Sequence, residues 1–253
     1  MLNSFYVAAL GMQAQKSQLD VVSNNLSNAN TAGYKRERVD FSAMLDRQVQ
    51  GAAPNTSASA SAQLSTLHRD LTQGELRASD SVLDIAINGQ GLIEIELPGE
   101  RAAFVRGGSM RLNDDGFLTT AAGYPLRSDV RVPPNASELA IDAKGVVSAR
   151  LGNDQQRTEL GRLQLVHFAQ LDRLDYQGNG IFTAPEGVDV ALKGNPQEDG
   201  LGAIAAGKLE MSNVKLVDEM VALMMSQRVY ELNAKVAQAA DEIMSMTNGL
   251  RRG

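Results

Sequence analysis

The sequence contains no cysteine, no tryptophan and only two histidines among its 253 residues. Without cysteine the chain can form neither a disulfide framework nor a thiolate metal site, and it has no cysteine nucleophile. The two histidines, His68 and His167, lie far apart in the sequence and show no ligand-like spacing. These absences exclude most metalloenzymes and the cysteine proteases, and we expect neither a metal nor a cofactor.

An excess of positive charge and long apolar runs are also missing. The formal net charge is -6 and the isoelectric point is about 5.0, whereas a nucleic-acid-binding surface needs a basic stripe. No stretch reaches the roughly 18 to 20 apolar residues needed to cross a bilayer. The apolar run Phe5–Met12 has no basic residue before it and lacks the length of a secretory signal. We therefore expect no nucleic-acid partner, no integral membrane segment and no cleaved signal peptide.

Recognisable catalytic patterns are absent as well. The carboxylate pair Asp114 and Asp115 precedes Gly116, which is typical of a turn. The glycine cluster at residues 88–91 has neither the phosphate-loop pattern nor a helix pattern after it. The sequence contains no G-x-S-x-G and no H-E-x-x-H. We predict that the chain is not an enzyme and has no catalytic residues.

Residues 1–30 have apolar side chains at helical spacing. Asparagine-rich sequence competes with a helix and Gly33 suits a left-handed cap, so this helix is expected to end between Asn28 and Gly33. Five apolar residues represent its heptad rows: Phe5, Met12, Leu19, Val22 and Leu26.

Residues 212–250 carry the strongest helical pattern, with Ser212 and Asn213 as candidate N-caps. Its apolar positions are spaced by four and three residues, as in the seam of a coiled coil. Such a row is also typical of the inner face of a helix in an ordinary globular protein, and the pattern alone does not choose between the two. The row comprises Met225, Val229, Leu232, Val236, Ala239, Ile243, Met246 and Leu250.

Between the two helical segments, short β-rich runs alternate with turn sequences such as Asn88-Gly89. We predict an α+β fold in which N- and C-terminal heptad helices pair as a coiled-coil domain that carries an inserted, mainly antiparallel β domain. The expected divisions are an N-terminal helix and arm (1–50), a linker (51–79), the β domain (80–190), a return loop (191–211) and the C-terminal helix (212–253).

Motifs at both ends of the chain resemble those of bacterial flagellar rod and hook proteins. The N-terminal segment at residues 22–36 is similar to the family pattern NNLAN followed by T-x-G-[FY]-K. The segments at 207–214 and 227–235 are similar to G-x-L-E-x-S-N-V and Q-R-A-Y-E-x-N-x-K, and 84–91 and 104–108 also agree with family patterns. The matching motif residues are Asn24, Asn25, Leu26, Asn28, Gly33, Tyr34, Lys35, Ser212, Asn213, Val214, Gln227, Arg228, Tyr230 and Glu231.

The resemblance implies a structural protein of the flagellar axis. Members of this family form a hollow tube from their terminal helices, with the β domain outside. This tube transmits torque from motor to hook and passes exported subunits. The form of the 227–235 motif and the chain length are most similar to the distal rod members, with a proximal rod or hook paralogue as the alternative. Implied partners are further copies of the chain, other rod proteins below, the hook protein above and the surrounding ring proteins.

The resemblance also implies export through the flagellum's own type III apparatus to a periplasmic position in the basal body, without a cleaved signal. On this interpretation the apolar rows of the two helices form the assembly interface. A function of another class is a β-sandwich ligand-binding module with helical oligomerisation arms. The few aromatic residues, 4% of the chain, argue against carbohydrate binding by such a module.

Overall fold

The computed structural model describes residues 2–40, 66–99, 101–128, 130–152 and 156–250. The chain divides into two compact units. We call them the helical unit (Met1–Ala29, Arg36–Asp70 and Val214–Gly253) and the strand unit (Asn30–Lys35 and Leu71–Asn213). Residues 51–65 of the predicted linker lie outside the described residues.

The helical unit contains helix α1 (Leu2–Ser27), helix α2 (Leu216–Leu250) and the strands β1 (Glu37–Asp40) and β2 (Thr66–Arg69). The two strands pair antiparallel. The helices also contact each other. Asn25 of α1 is hydrogen-bonded to Glu219 of α2, and Gly11, fourteen residues before Asn25, lies against Asn233, fourteen residues after Glu219. The two helices therefore run antiparallel.

The end of α1 and the beginning of α2 lie close to the predicted limits. α1 ends at Ser27, one residue before the predicted range begins. α2 begins at Leu216, four residues after Ser212 and three after Asn213. Two acidic residues, Asp218 and Glu219, lie in that first turn, where the helix dipole favours negative charge.

The strand unit contains fifteen strands among its described residues, and every pairing is antiparallel. A 3-10 turn at Leu171–Arg173 interrupts them. The strands are β3 (Leu76–Ala78), β4 (Asp84–Asn88), β5 (Ile93–Leu97), β6 (Arg101–Val105), β7 (Gly107–Leu112), β8 (Leu118–Thr120), β9 (Ala136–Ile141), β10 (Val146–Leu151), β11 (Arg157–Arg162), β12 (Leu165–His167), β13 (Asp175–Gly178), β14 (Ile181–Thr183), β15 (Leu192–Gly194), β16 (Ala203–Ala206) and β17 (Lys208–Glu210).

These strands form five small sheets in the described part of the unit. The strand orders are β16-β4-β7-β8, β13-β14-β6-β5, β11-β10-β9, β12-β15 and β17-β3. Strand β5 alternates buried isoleucines with partly exposed glutamates, the pattern of a sheet with one covered face. In contrast, β4 is buried from Asp84 through Ile87, so both of its faces are covered.

Two apolar clusters hold the strand unit together. The larger one contains residues from each of the strands β4 through β10 and from β12, β14 and β16. Ile85, Ile95 and Val147 in this cluster are fully buried. The smaller cluster centres on Phe104 and Phe168, whose ring centroids lie 4.7 Å apart at nearly a right angle. The core of this unit is therefore made by side chains from many short strands.

The predicted fold class is wrong. The described residues contain two helices, and most of the regular structure is spread over six small antiparallel sheets, one of which, β1-β2, belongs to the helical unit. The helices are not joined by the predicted heptad seam, because five seam residues of α2 are more than half exposed. The physical reason is that α2 turns polar and small side chains toward α1 instead.

Candidate assembly interface and buried charge clusters

An exposed apolar row runs along α2. Five of the predicted seam residues are between 53% and 67% exposed. Because an α-helix rises 1.5 Å per residue, the row from Met225 to Met246 is about 32 Å long. Large exposed apolar patches are typical of protein–protein interaction sites. The five residues are Met225, Leu232, Val236, Ile243 and Met246.

A neighbouring row of α2 is polar or small. Glu219 and Ser226 are buried, and Asn233 and Ala240 are half-buried, at intervals of seven residues. A Cβ atom added to Gly11 of α1 would lie 3.1 Å from Asn233 Nδ2, so the helices approach closely at this point. The exposed apolar row lies about 100° around α2 from this contact, the angle between successive helical residues.

The other predicted interface residues occupy several environments. Val22 is buried within the helical unit, while Met12, Leu19, Leu26 and Val229 are half-buried. Phe5 and Leu250 are helical positions whose side chains lie outside the described residues. The exposed part of the predicted interface is thus on α2.

The first buried charge cluster lies in the helical unit and centres on Glu219, which is 1% exposed. Its two carboxylate oxygens accept hydrogen bonds from Arg36 Nε at 2.5 Å and from Asn25 Nδ2 at 3.3 Å. Asn25 also holds the chain after α1, since it accepts a bond from the Glu37 N–H and donates to the Glu37 carbonyl, both at 2.9 Å. The Glu37 carboxylate in turn pairs with Arg69 on β2.

The second buried charge cluster lies in the strand unit and centres on Glu210 at the end of β17. The Glu210 carboxylate lies 2.6 Å from Lys35 Nζ and 3.0 Å from Arg106 Nε. It also accepts a hydrogen bond from the Gly74 N–H at 2.8 Å. Lys35 donates a further bond to the Thr72 carbonyl. A buried carboxylate with two cations and an N–H donor is well compensated for its lost hydration.

The N-terminal motif residues also shape the turn after α1. Asn28 Nδ2 donates to the side-chain and main-chain oxygens of Asn24, which closes the last turn of the helix. Gly33 has a φ of +74° and its N–H donates to the Glu210 carbonyl at 2.8 Å. Glycine suits this position because a side chain rarely adopts that backbone angle. Tyr34 is half-buried.

The C-terminal motif residues divide into two groups. Ser212 is buried, Val214 is half-buried, and Asn213 Nδ2 donates to the carbonyl and hydroxyl oxygens of Thr72. The residues of the second group are exposed on α2 and are Gln227, Arg228, Tyr230 and Glu231. The first group therefore stabilises the fold of the subunit, and the second lies on its surface.

The central carboxylates of both clusters, Glu210 and Glu219, and their arginine partners were not predicted as site residues from the sequence. Glu210, Arg36 and Arg106 nevertheless fall inside the motif segments at 207–214, 22–36 and 104–108. Their place in these segments is the signal that could have identified them, although other charged motif residues, such as Arg228 and Glu231, are exposed. Glu219 had no such signal, because an acidic residue in the first turn of a helix is equally typical of a solvated end.

A third charge cluster lies at the surface of the strand unit. Burial disfavours ionisation of Glu94, but hydrogen bonds from Lys193 and Arg127 outweigh burial and hold the pKa of the Glu94 carboxyl below its usual range. Among the described residues no group of side chains is arranged to hold a metal ion, and no helix is long and apolar enough to cross a membrane.

Comparisons with known families agree with the end motifs. Residues 5–35 match the family described as flagella basal body rod protein. Residues 86–149 match the flagellar hook protein FlgE/F/G D1 domain, and residues 205–250 match the flagellar basal body rod FlgEFG protein C-terminal family. All three descriptions concern flagellar rod and hook proteins, the class that the resemblance indicated.

Individual relatives are similar over the full length of the chain. The flagellar basal-body rod protein FlgG of Agrobacterium fabrum is 34% identical over 98% of both chains. FlgG of Caulobacter vibrioides is 32% identical over 99% of this chain and all of the relative, and FlgG of Bacillus subtilis is 30% identical over both complete chains. The chain therefore belongs to the FlgG family of flagellar basal-body rod proteins.

Membership of this family confirms the resemblance to flagellar rod proteins found in the sequence. It also confirms that the chain is a structural protein and not an enzyme. The place of such a protein is the flagellar basal body, where it assembles with other flagellar components.

Proposed function

We propose that the chain is a subunit of the distal part of the flagellar rod and that it associates with further copies of itself into a hollow helical tube. The tube transmits torque from the motor to the hook and passes exported subunits. The observation that carries this proposal is the exposed apolar row of α2, in a chain whose full-length relatives are named rod proteins.

The occupant of the apolar row is a second copy of the same chain. A rod is a repeating structure, so each subunit needs a surface that every neighbour can contact in the same way. The row extends about 32 Å along one helix and has the charged pair Glu231 and Lys235 beside it, as expected for an apolar contact with a polar border. The proposed face consists of Met225, Val229, Leu232, Val236, Ile243, Met246 and Leu250, with Phe5, Met12, Leu19, Val22 and Leu26 contributing from α1 through the packing of the two helices.

Within the basal body, the proposed neighbours are other rod proteins below, the hook protein above and the ring proteins around the rod. We further propose that the chain reaches a periplasmic position through the flagellar export apparatus without losing a signal peptide. Mass spectrometry of the protein extracted from purified basal bodies tests this export route. A protein that retains the residues of α1 supports this route, whereas a protein cleaved on the C-terminal side of the apolar run at residues 5–12 contradicts it.

The distal position is tested by electron microscopy of basal bodies from cells that lack the gene. We expect a rod that stops short, with proximal components in place and no hook. A complete rod that lacks only the hook would assign the chain to the hook instead. A rod missing from its base would favour a proximal paralogue, and an intact flagellum would reject an axial function.

The apolar row is tested by the substitution Leu232→Asp in the full chain. A carboxylate in an apolar contact is costly to desolvate, so we expect rod assembly to fail while the strand unit stays folded. The matched control is Gln238→Asp, which adds the same charge to an exposed position on another side of α2. Normal rods with Leu232→Asp would show that the row is not the interface, and equal failure of both variants would point to a general effect of charge.

A further inference from the structure

The exposed face of α2 is rich in methionine. Met225 and Met246 lie in the apolar row, and Met220 and Met224 are exposed on other sides of the same helix. These four side chains are between 48% and 67% exposed, whereas Met110 in the core of the strand unit is only 3% exposed. The chain thus contains both accessible and protected thioethers.

Thioether sulfur is the most easily oxidised group in this chain, because cysteine is absent. A hydroperoxide transfers one oxygen atom to the sulfur. The O–O bond breaks, an S–O bond forms, the sulfur loses two electrons and the hydroperoxide is reduced to water or an alcohol. The sulfoxide is polar, and thiol-dependent reductases return it to the thioether.

We propose that Met225 and Met246 are sulfoxidation sites that control association of the subunit, and that Met220 and Met224 are further exposed oxidation sites on the same helix. This inference rests on the proposed self-association through α2. Sulfoxides at Met225 and Met246 put strongly hydrogen-bonding oxygens into a surface that must give up its water on association. Oxidation of the free subunit therefore blocks the contact, and reduction restores it.

The position of the four residues also makes the site depend on the state of assembly. In the free subunit these four residues are exposed to solvent. Once a second copy covers the apolar row, hydroperoxide no longer reaches Met225 and Met246. We therefore expect subunits to be sensitive to oxidant before assembly and resistant after it.

The site is tested by treating the full-length protein with hydrogen peroxide and mapping the added oxygen by peptide mass spectrometry. We expect the four methionines of α2 to oxidise at least about tenfold faster than Met110, because reactivity follows exposure. Similar rates for Met110 and the α2 methionines would overturn the proposed site.

Control of association is tested by sedimentation of the same samples. We expect peroxide to weaken self-association of the untreated sequence at least about tenfold and a methionine sulfoxide reductase with a dithiol to restore it. A variant with leucine at all four positions keeps the apolar volume and a strong helix former, but cannot form sulfoxides. It should associate equally with and without peroxide, while the control Met110→Leu should remain sensitive.

Two further outcomes would be informative. If oxidised protein associates as well as untreated protein, or the four-leucine variant loses association after peroxide, the methionines do not control association. If untreated protein does not associate at all, the proposed self-association fails and with it this control. In that case the oxidation map still decides whether α2 carries an oxidant-sensitive site.

Discussion

At the scale of single residues, buried charge is always paired in the two motif clusters. Glu210 and Glu219 are almost fully buried, and each carboxylate accepts hydrogen bonds from an arginine and at least one other donor. Removing one member of such a cluster leaves the others charged in a poorly hydrated place. These residues therefore matter to stability, although none of them performs chemistry.

The substitution Glu210→Gln is expected to destabilise the strand unit by about 3 to 5 kcal/mol, because Lys35 and Arg106 lose the charge that compensates their burial. Urea denaturation followed by circular dichroism measures the change. The control is Glu138→Gln, which removes an exposed partner of Arg150 and should cost less than about 1 kcal/mol. Equal effects of the two substitutions would contradict this account of the Glu210 cluster.

Glu94 gives the strand unit a dependence on acid. Since the pKa of its carboxyl is lower in the folded state, its contribution to stability is complete above the unfolded value of about 4.3 and is lost as the pH falls through the folded value. We expect Glu94→Gln to be less stable than the original sequence by about 0.5 to 1 kcal/mol at pH 7, with the difference disappearing in acid. Denaturation at a series of pH values measures this difference, and a constant gap down to pH values well below about 4 would speak against it.

At the scale of elements, α2 has two rows with opposite roles. One row holds Glu219 and Asn233 against α1 and contains the buried Ser226, and the neighbouring row exposes large apolar side chains. In the strand unit, the main chains of the neighbouring strands β4 and β7 approach each other closely. On β7, a Cβ atom added to Gly107 would lie 2.3 Å from the Ile85 carbonyl oxygen of β4, far inside van der Waals contact.

Pairing of β4 with β7 can be tested with two neighbouring glycines. Gly107 and Gly108 both have positive φ angles, +117° and +123°, but a Cβ atom on Gly108 meets no atom within 4 Å. Strain from φ is therefore similar, about 1 to 3 kcal/mol, and Gly107→Ala adds a backbone clash. We expect Gly107→Ala to destabilise by at least about 2 kcal/mol more than Gly108→Ala in urea denaturation. Equal losses of stability would contradict the expected clash between the Gly107→Ala side chain and the main chain of β4.

At the scale of the whole molecule, each of the two units has its own stabilising contacts. The apolar clusters of the strand unit are made by residues of that unit alone, and so is the Glu210 cluster with Lys35 and Arg106. The helical unit in contrast exposes a large apolar row and buries polar groups between its helices. From this distribution we expect the strands to fold independently and the helices to mediate the proposed association.

A chain fragment of residues 30–213 is therefore expected to unfold cooperatively by itself, with a midpoint in urea close to that of the strand unit in the full protein. It keeps Lys35, both apolar clusters and Glu210. Circular dichroism and hydrogen exchange measure the transition. As a control, a fragment of residues 71–213 lacks Lys35 and should be less stable. A fragment 30–213 without a cooperative transition would show that the strands need the helices.

The sequence by itself determined the two helices, their approximate ends, the absence of catalytic chemistry and the membership of the flagellar rod family. Helical periodicity and contiguous motifs are local, so they can be read along the chain. Only the tertiary structure decided which row of α2 faces α1, because the apolar row and the polar row are one residue apart and both repeat every seven residues. It alone also joined Lys35, Arg106 and Glu210, and divided the strands among small sheets, since these contacts link residues that are distant in the sequence. The coiled-coil prediction failed for this reason: buried hydrogen bonds of Glu219 and close packing at Gly11 fix the rotation of α2, and the apolar row stays exposed.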